Sequence, residues 1–159
     1  MRRLAFLVLL TTACSGSPSA TTTSPDLSTA TAVELQAQSV MAACLESGCA
    51  GSPIYMRDTT DPELFAAVMD LLGDEVRLIS TAEEEALVGE DGRYADGGTV
   101  LSVEGAVQLL DNDVAGVDVF RWQGRFEGLG KSFLFRWDGT RWIATTQEET
   151  GVVVTTAVP

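Results

Sequence analysis

The sequence predicts an α+β domain, an antiparallel β-meander with two main helices packed on one face, and three observations carry that prediction. Apolar residues recur at helical spacing in two stretches of the first half, over 33–45 and 64–72. From Val100 onward the chain breaks into short β-branched and aromatic runs divided by turn residues. With 159 residues, 45% hydrophobic and 21% charged, it is long enough for one core but not comfortably for two.

The first helix rests on Val33, Ala37, Val40, Met41, Cys44 and Leu45, with Thr31-x-x-Glu34 as a capping box and Gly48 as its stop. Ile54-Tyr55-Met56 reads as a short strand. Asp58-Thr59-Thr60-Asp61-Pro62-Glu63 then leads into a helix carried by Leu64, Phe65, Val68, Leu71 and Leu72 and ended by Gly73. Pro62 suits the first helical position, and Asp61 or Thr60 its cap. Val76–Ser80 follows as a strand, and a strand-helix-strand unit of this kind pairs in parallel through a right-handed crossover by default. Thr81-x-x-Glu84 opens a shorter helix that stops at Gly89, and 90–98 is a loop by its turn residues.

The remainder reads as strands over 100–110, 114–126, 132–137, 141–146 and 152–158. Their connections are Asp111-Asn112-Asp113, Gly128-Leu129-Gly130 and Asp138-Gly139. A two-residue Asp138-Gly139 turn places Phe133, Phe135, Trp137, Trp142 and Ala144 on one face, and sets Arg136 opposite Arg141 on the other.

Ahead of this domain, Met1-Arg2-Arg3, the apolar run Leu4–Leu10 and Thr11-Thr12-Ala13 have the order of an export signal: a charged start, an apolar stretch too short to span a bilayer, and small residues at a cleavage site. Thr11-Thr12-Ala13-Cys14 resembles the lipobox of bacterial lipoproteins, although Thr11 stands where leucine is usual. The resemblance covers the first 14 residues and implies that Cys14 carries a diacylglyceryl group and becomes the mature N-terminus. Thr11-x-Ala13 also satisfies ordinary signal-peptidase cleavage. Three cysteines favour lipidation, because removing Cys14 from the count leaves Cys44 and Cys49 as an even pair. The chain then divides into a signal peptide over 1–13, a lipidated Cys14 with a tether to residue 32, and one domain over 33–159. The tether holds ten Ser or Thr in 18 residues and one large apolar side chain, Leu27, so it cannot form a core. As a flexible chain it spans about 20–25 Å root-mean-square. Localisation is expected outside the cytoplasm, anchored to the membrane through the lipid on Cys14, with the bilayer as the one assigned partner.

In an exported protein Cys44 and Cys49 are expected to form a disulfide across the turn after the first helix, worth about 2 kcal/mol for so short a loop. A C-x4-C spacing does not match the C-x-x-C of thioredoxin-type redox sites.

The charge of the whole chain is −13. Arg2 and Arg3 precede Cys14, so the mature charge is two units lower, −15. Nucleic acid is thereby disfavoured as a partner, since its phosphates are repelled before any contact forms. There is no histidine, which excludes Ser-His-Asp and Cys-His catalysis and Cys/His zinc sites. No G-x-S-x-G elbow and no phosphate-binding glycine loop occurs, and nothing calls for a cofactor.

Four clusters could carry function. Asp111-Asn112-Asp113-Val114-Ala115-Gly116 superficially has the spacing of a calcium loop, but Ala115 occupies a ligand position and a hairpin turn explains the same residues. Glu83, Glu84, Glu85, Glu90, Asp91 and Asp96 could hold a divalent cation if the loop folded back, against the simpler reading of a solvated helix face; the metal question stays open. Asp58–Asp61 lie where a strand's carboxyl end meets a helix start, a frequent ligand position in α/β sheets, although capping explains them. Arg121, Arg125, Arg136 and Arg141 gather half of the mature positive charge near the final hairpins, with Trp122 nearby. They are the weak candidates for a ligand-binding face, against cross-strand pairing with acids. The expectation is a non-enzymatic binding or interaction module at the cell envelope; the alternative is an extracytoplasmic carboxylate-based or metal-assisted hydrolase.

Overall fold

The computed structural model describes residues 25, 27–49 and 51–153. Cys14, the expected export signal and nearly all of the expected tether lie outside them. The order of elements is α1 (Thr29–Ser47), β1 (Ile54–Arg57), α2 (Pro62–Leu72), β2 (Val76–Ile79), α3 (Thr81–Leu87), β3 (Thr99–Asp111), β4 (Val114–Trp122), β5 (Gly128–Trp137), β6 (Trp142–Thr145) and α4 (Gln147–Thr150). The six strands form one sheet in the order β2-β1-β3-β4-β5-β6. Pairing is parallel for β1 with β2 and with β3, and antiparallel from β3 to β6. The α+β class holds, with the meander grafted onto a parallel strand-helix-strand unit.

Helix α1 starts four residues before Val33. Ser28 is its cap, with a side chain that accepts from the Thr31 N–H, so Thr31 lies inside the helix and the Thr31/Glu34 box does not form. At the other end Gly48 adopts a left-handed φ of 70°, where a side chain would be strained. Helix α2 begins as expected: Asp61 accepts from the N–H groups of Glu63 and Leu64, and Pro62 needs no donor partner there.

Strand parity sends Ile54, Met56, Leu101, Ala115, Val117, Val119, Phe135 and Trp142 to one face of the sheet, where they meet Leu35 and Val40 of α1 and Leu64 and Val68 of α2. This is the main core. The opposite face carries a smaller cluster of Tyr55, Ile79, Val100 and Tyr94, with Leu87, Val88 and Trp122 packed against it. Short α3 and the loop after it cover only this part of the second face.

Three expectations of the β-half change. Gly128 and Gly130 are strand residues of β5, opposite Trp122 and Phe120. A Cβ at Gly128 would come within 2.9 Å of the Trp122 ring, so glycine here makes room for a cross-strand aromatic and does not mark a turn. In the last hairpin Trp137 pairs with Trp142, which leaves a four-residue connection and places Arg136 opposite Ile143, not Arg141. A shift of two preserves parity, and the aromatic face therefore survives. Beyond β6 the chain turns into α4, closed by a Thr146/Glu149 capping box and left-handed Gly151. Val152 and Val153 are not in a strand, and 154–159 lie outside the described residues.

Candidate functional site

Arg57 is the last residue of β1 and Ile79, its partner in register, is the last of β2, so the carboxyl ends of the two parallel strands open on the same side. A cleft of about 730 Å³ lies there. Its walls are α3 with the residues just after it (Glu84, Glu85, Val88) and the β4–β5 connection (Gly124, Arg125); Arg57, Tyr94 and Trp122 form its inner surface.

The position of α3 decides what faces the cleft. Its cap is Ser80, whose hydroxyl accepts from the Glu83 N–H while the Glu83 carboxylate accepts from the Ser80 N–H. The expected Thr81/Glu84 box is therefore one residue out of register. That displacement frees Glu84, which turns inward and accepts from Arg57 Nε at 3.1 Å, from Arg57 Nη2 at 3.4 Å and from the Tyr94 hydroxyl at 2.8 Å. Three separate elements are tied at one carboxylate. Burial works to raise the pKa of Glu84, but the Arg57 and Tyr94 donors outweigh it and hold the carboxyl below its usual range. The same bonds raise Arg57, and burial followed by the bond to Glu84 raises the Tyr94 phenol.

The loop over 88–98 is held against both neighbours. Tyr94 N–H donates to Gln123 O at 3.1 Å, Arg125 N–H to Gly92 O at 2.7 Å, and Arg93 forms a 2.8 Å ion pair with Glu127. Gly124 permits the approach, since a Cβ there would fall 2.7 Å from the Arg93 Cα. Beneath it, the Tyr55 hydroxyl donates to Asp96 at 2.6 Å, and Asp96 also accepts from the Gly98 N–H at 2.8 Å. The Trp122 indole N–H is buried with no hydrogen-bond partner among the described residues.

The four candidate arginines do not form one site. Arg125 lines the cleft. Because β4 ends at Trp122, Arg125 lies outside the strand and does not share a face with Arg121 by parity. Arg121 sits across from Leu101 and Leu129 on the helix-covered side. Arg136 donates to Glu149 O at 2.9 Å and lies 3.9 Å from Asp113, while Arg141 lies 3.8 Å from Asp138 within its own turn. The acidic residues over 83–96 disperse likewise: Glu83 caps, Glu84 binds Arg57, Asp91 accepts from the Arg93 N–H, and Asp96 serves Tyr55. Among the described residues no group of three or more His, Cys, Asp or Glu is placed to hold a metal ion. Asp111 and Asp113 belong to the β3–β4 turn, where Asp111 accepts from the Asn112 N–H. Asp58–Asp61 lie at the end of the sheet that bears the cleft but do not line it.

Cys44 and Cys49 are both buried free thiols, and the Cys49 Sγ lies 3.1 Å from the Ser47 hydroxyl. Burial first, then the Cys49 contact, pushes the Cys44 thiol up to about 12. No helix among the described residues is long and apolar enough to cross a membrane.

Arg57 and Tyr94 are not marked by the sequence, and Glu84 and Glu85 only as members of an acidic cluster that could hold a cation. The available signal was positional: Arg57 immediately precedes the Asp58–Asp61 segment at the strand end. No family model, no curated protein and no solved structure matches the chain.

Proposed function

We propose that the chain is a cell-envelope lipoprotein, acylated at Cys14, whose folded domain is a non-enzymatic binding module with its binding site in the cleft between α3 and the β4–β5 connection. The observation that carries this reading is the bonding of the cleft's inner groups: the Glu84 carboxylate is taken up by the Arg57 guanidinium and the Tyr94 hydroxyl. A general acid or base works best with a pKa near the ambient pH. Here Glu84 is shifted down and Tyr94 and Arg57 up, each away from neutrality. All three keep one charge state through the physiological range. That supports recognition by fixed charges and hydrogen bonds, and counts against the hydrolase alternative. The absence of histidine from the whole chain points the same way.

Arrangement at the envelope follows from the sequence: the lipid on Cys14 anchors, the Ser/Thr-rich tether spaces, and the cleft meets its ligand outside the membrane. A disulfide between Cys44 and Cys49 is part of the proposal, since both are buried at the end of α1 and the Cys49 N–H donates to Cys44 O at 3.2 Å. Mass spectrometry of the unreduced chain reads that bond and the acyl groups together. The binding reading is tested by NMR titration of the chain with a library of small organic fragments. Shift changes clustered on Trp122, Tyr94, Val88 and Arg125 are expected. A library with no ligand in this cleft would overturn the reading.

A further inference from the structure

The charges of the cleft fall into two sets. Arg57 and Glu84 neutralise each other on its inner surface, with Tyr94 completing the carboxylate's bonds. Arg125 and Glu85 are different: both are exposed, they stand on different walls, and neither forms an ion pair or side-chain hydrogen bond among the described residues. For Arg125 that is unexpected, because acids outnumber bases by 23 to 10 in this chain and a partner is seldom far away. Val88 and the Trp122 ring, which Gly128 allows to lie across β5, line the same cleft and give it an apolar surface.

We infer that the cleft takes a short zwitterionic peptide, its carboxylate on Arg125, its ammonium group on Glu85 and an apolar side chain against Trp122 and Val88; this rests on the cleft being the binding site. A molecule of one sign would gain from one wall and be repelled by the other, whereas a dipolar one gains from both. The guanidinium fork suits a carboxylate in two parallel hydrogen bonds. The volume also fits: about 730 Å³ lies within the usual range of ligand pockets, and three extended residues span about 10 Å. An acidic protein surface repels a purely anionic ligand at long range, but a net-neutral peptide carries no such penalty.

The test is calorimetry of the purified full chain with Ala-Phe-Ala in four forms: free, N-acetylated, C-amidated and doubly capped. Each cap is expected to weaken binding about tenfold, the loss of one charge-assisted contact. Arg125→Ala should weaken the free peptide by the same factor and become indifferent to C-amidation. Glu85→Ala should become indifferent to N-acetylation. Both positions are exposed, so folding is not at risk. Equal affinity for free and doubly capped peptide would overturn the inference, as would no binding of the free peptide by a chain whose cleft does bind fragments. The second result leaves the binding-module reading standing, and absence of both kinds of binding removes the two together.

Discussion

Glu84 shows how one side chain can serve two elements that are distant in sequence. It receives both Arg57 from β1 and Tyr94 from the 88–98 loop, and only 15% of its side chain is exposed against 35% for Arg57. Glu84→Gln keeps the shape but removes the charge, leaving a half-buried guanidinium with a neutral acceptor. The expected cost is about 1–3 kcal/mol in urea unfolding. Neighbouring Glu85→Gln, exposed and unpaired, should stay within about 0.5 kcal/mol of the parent. Equal effects at the two positions would mean that the Arg57–Glu84–Tyr94 contact contributes nothing. Nearer the start of the chain, Cys14→Ala should move the protein from the membrane fraction to the soluble one, because acyl chains on this residue are the proposed anchor. Retention in the membrane fraction would count against lipidation at this residue.

At the scale of elements, the capping patterns explain what could be read in advance. Pro62 fixes the first turn of α2 and leaves Asp61 or Thr60 as its cap, of which Asp61, directly before it, is the one that forms. By contrast Ser80-Thr81 precedes Glu83-Glu84-Glu85, so two capping boxes one residue apart are equally well written in the sequence. The one that forms leaves Glu84 to Arg57, 27 residues away, which no local pattern contains. The same reason hid the cleft, whose two walls, α3 and the β4–β5 connection, are brought together only by the fold. The hairpin aromatics were legible because parity tolerates a two-residue error, while Gly128 and Gly130 misled because a glycine beneath an aromatic and a glycine in a turn look alike in sequence. Two substitutions probe these element-level devices. Asp61→Ala should cost about 1 kcal/mol by removing the two bonds that start α2, read as a lower urea midpoint at unchanged slope. Gly124→Ala should cost about 1–3 kcal/mol, because the added methyl meets Arg93 backbone that cannot rotate away. It should also shift the amide resonances of Tyr94 and Arg125; a silent Gly124→Ala would mean that the two loops are not pressed together.

For the whole molecule, two electrostatic effects of opposite sign act on stability. A net charge of −13 repels itself and favours the expanded chain, so at neutral pH added salt should stabilise. The exposed pairs Arg93–Glu127 and Lys131–Glu46 lose little to screening, because such pairs are worth little to begin with. Raising NaCl from about 0.05 M to about 0.5 M shortens the Debye length to under 5 Å and should lift Tm by about 2–5 °C. Specific pairing acts against this on the acid side. Glu84 has its folded pKa below the 4.5 of a free glutamate, so it binds fewer protons in the native state than in the unfolded chain. Its stabilisation is complete above 4.5 and is lost as pH falls from there through the depressed native value. Thermal unfolding followed by circular dichroism should therefore show an acid limb beginning below about pH 4.5. In Glu84→Gln that limb should be shallower, while the salt response at pH 7 persists because the repulsion comes from the remaining acids. An acid limb of the same steepness in both chains would show that Glu84 is not the carboxylate whose protonation loosens this fold.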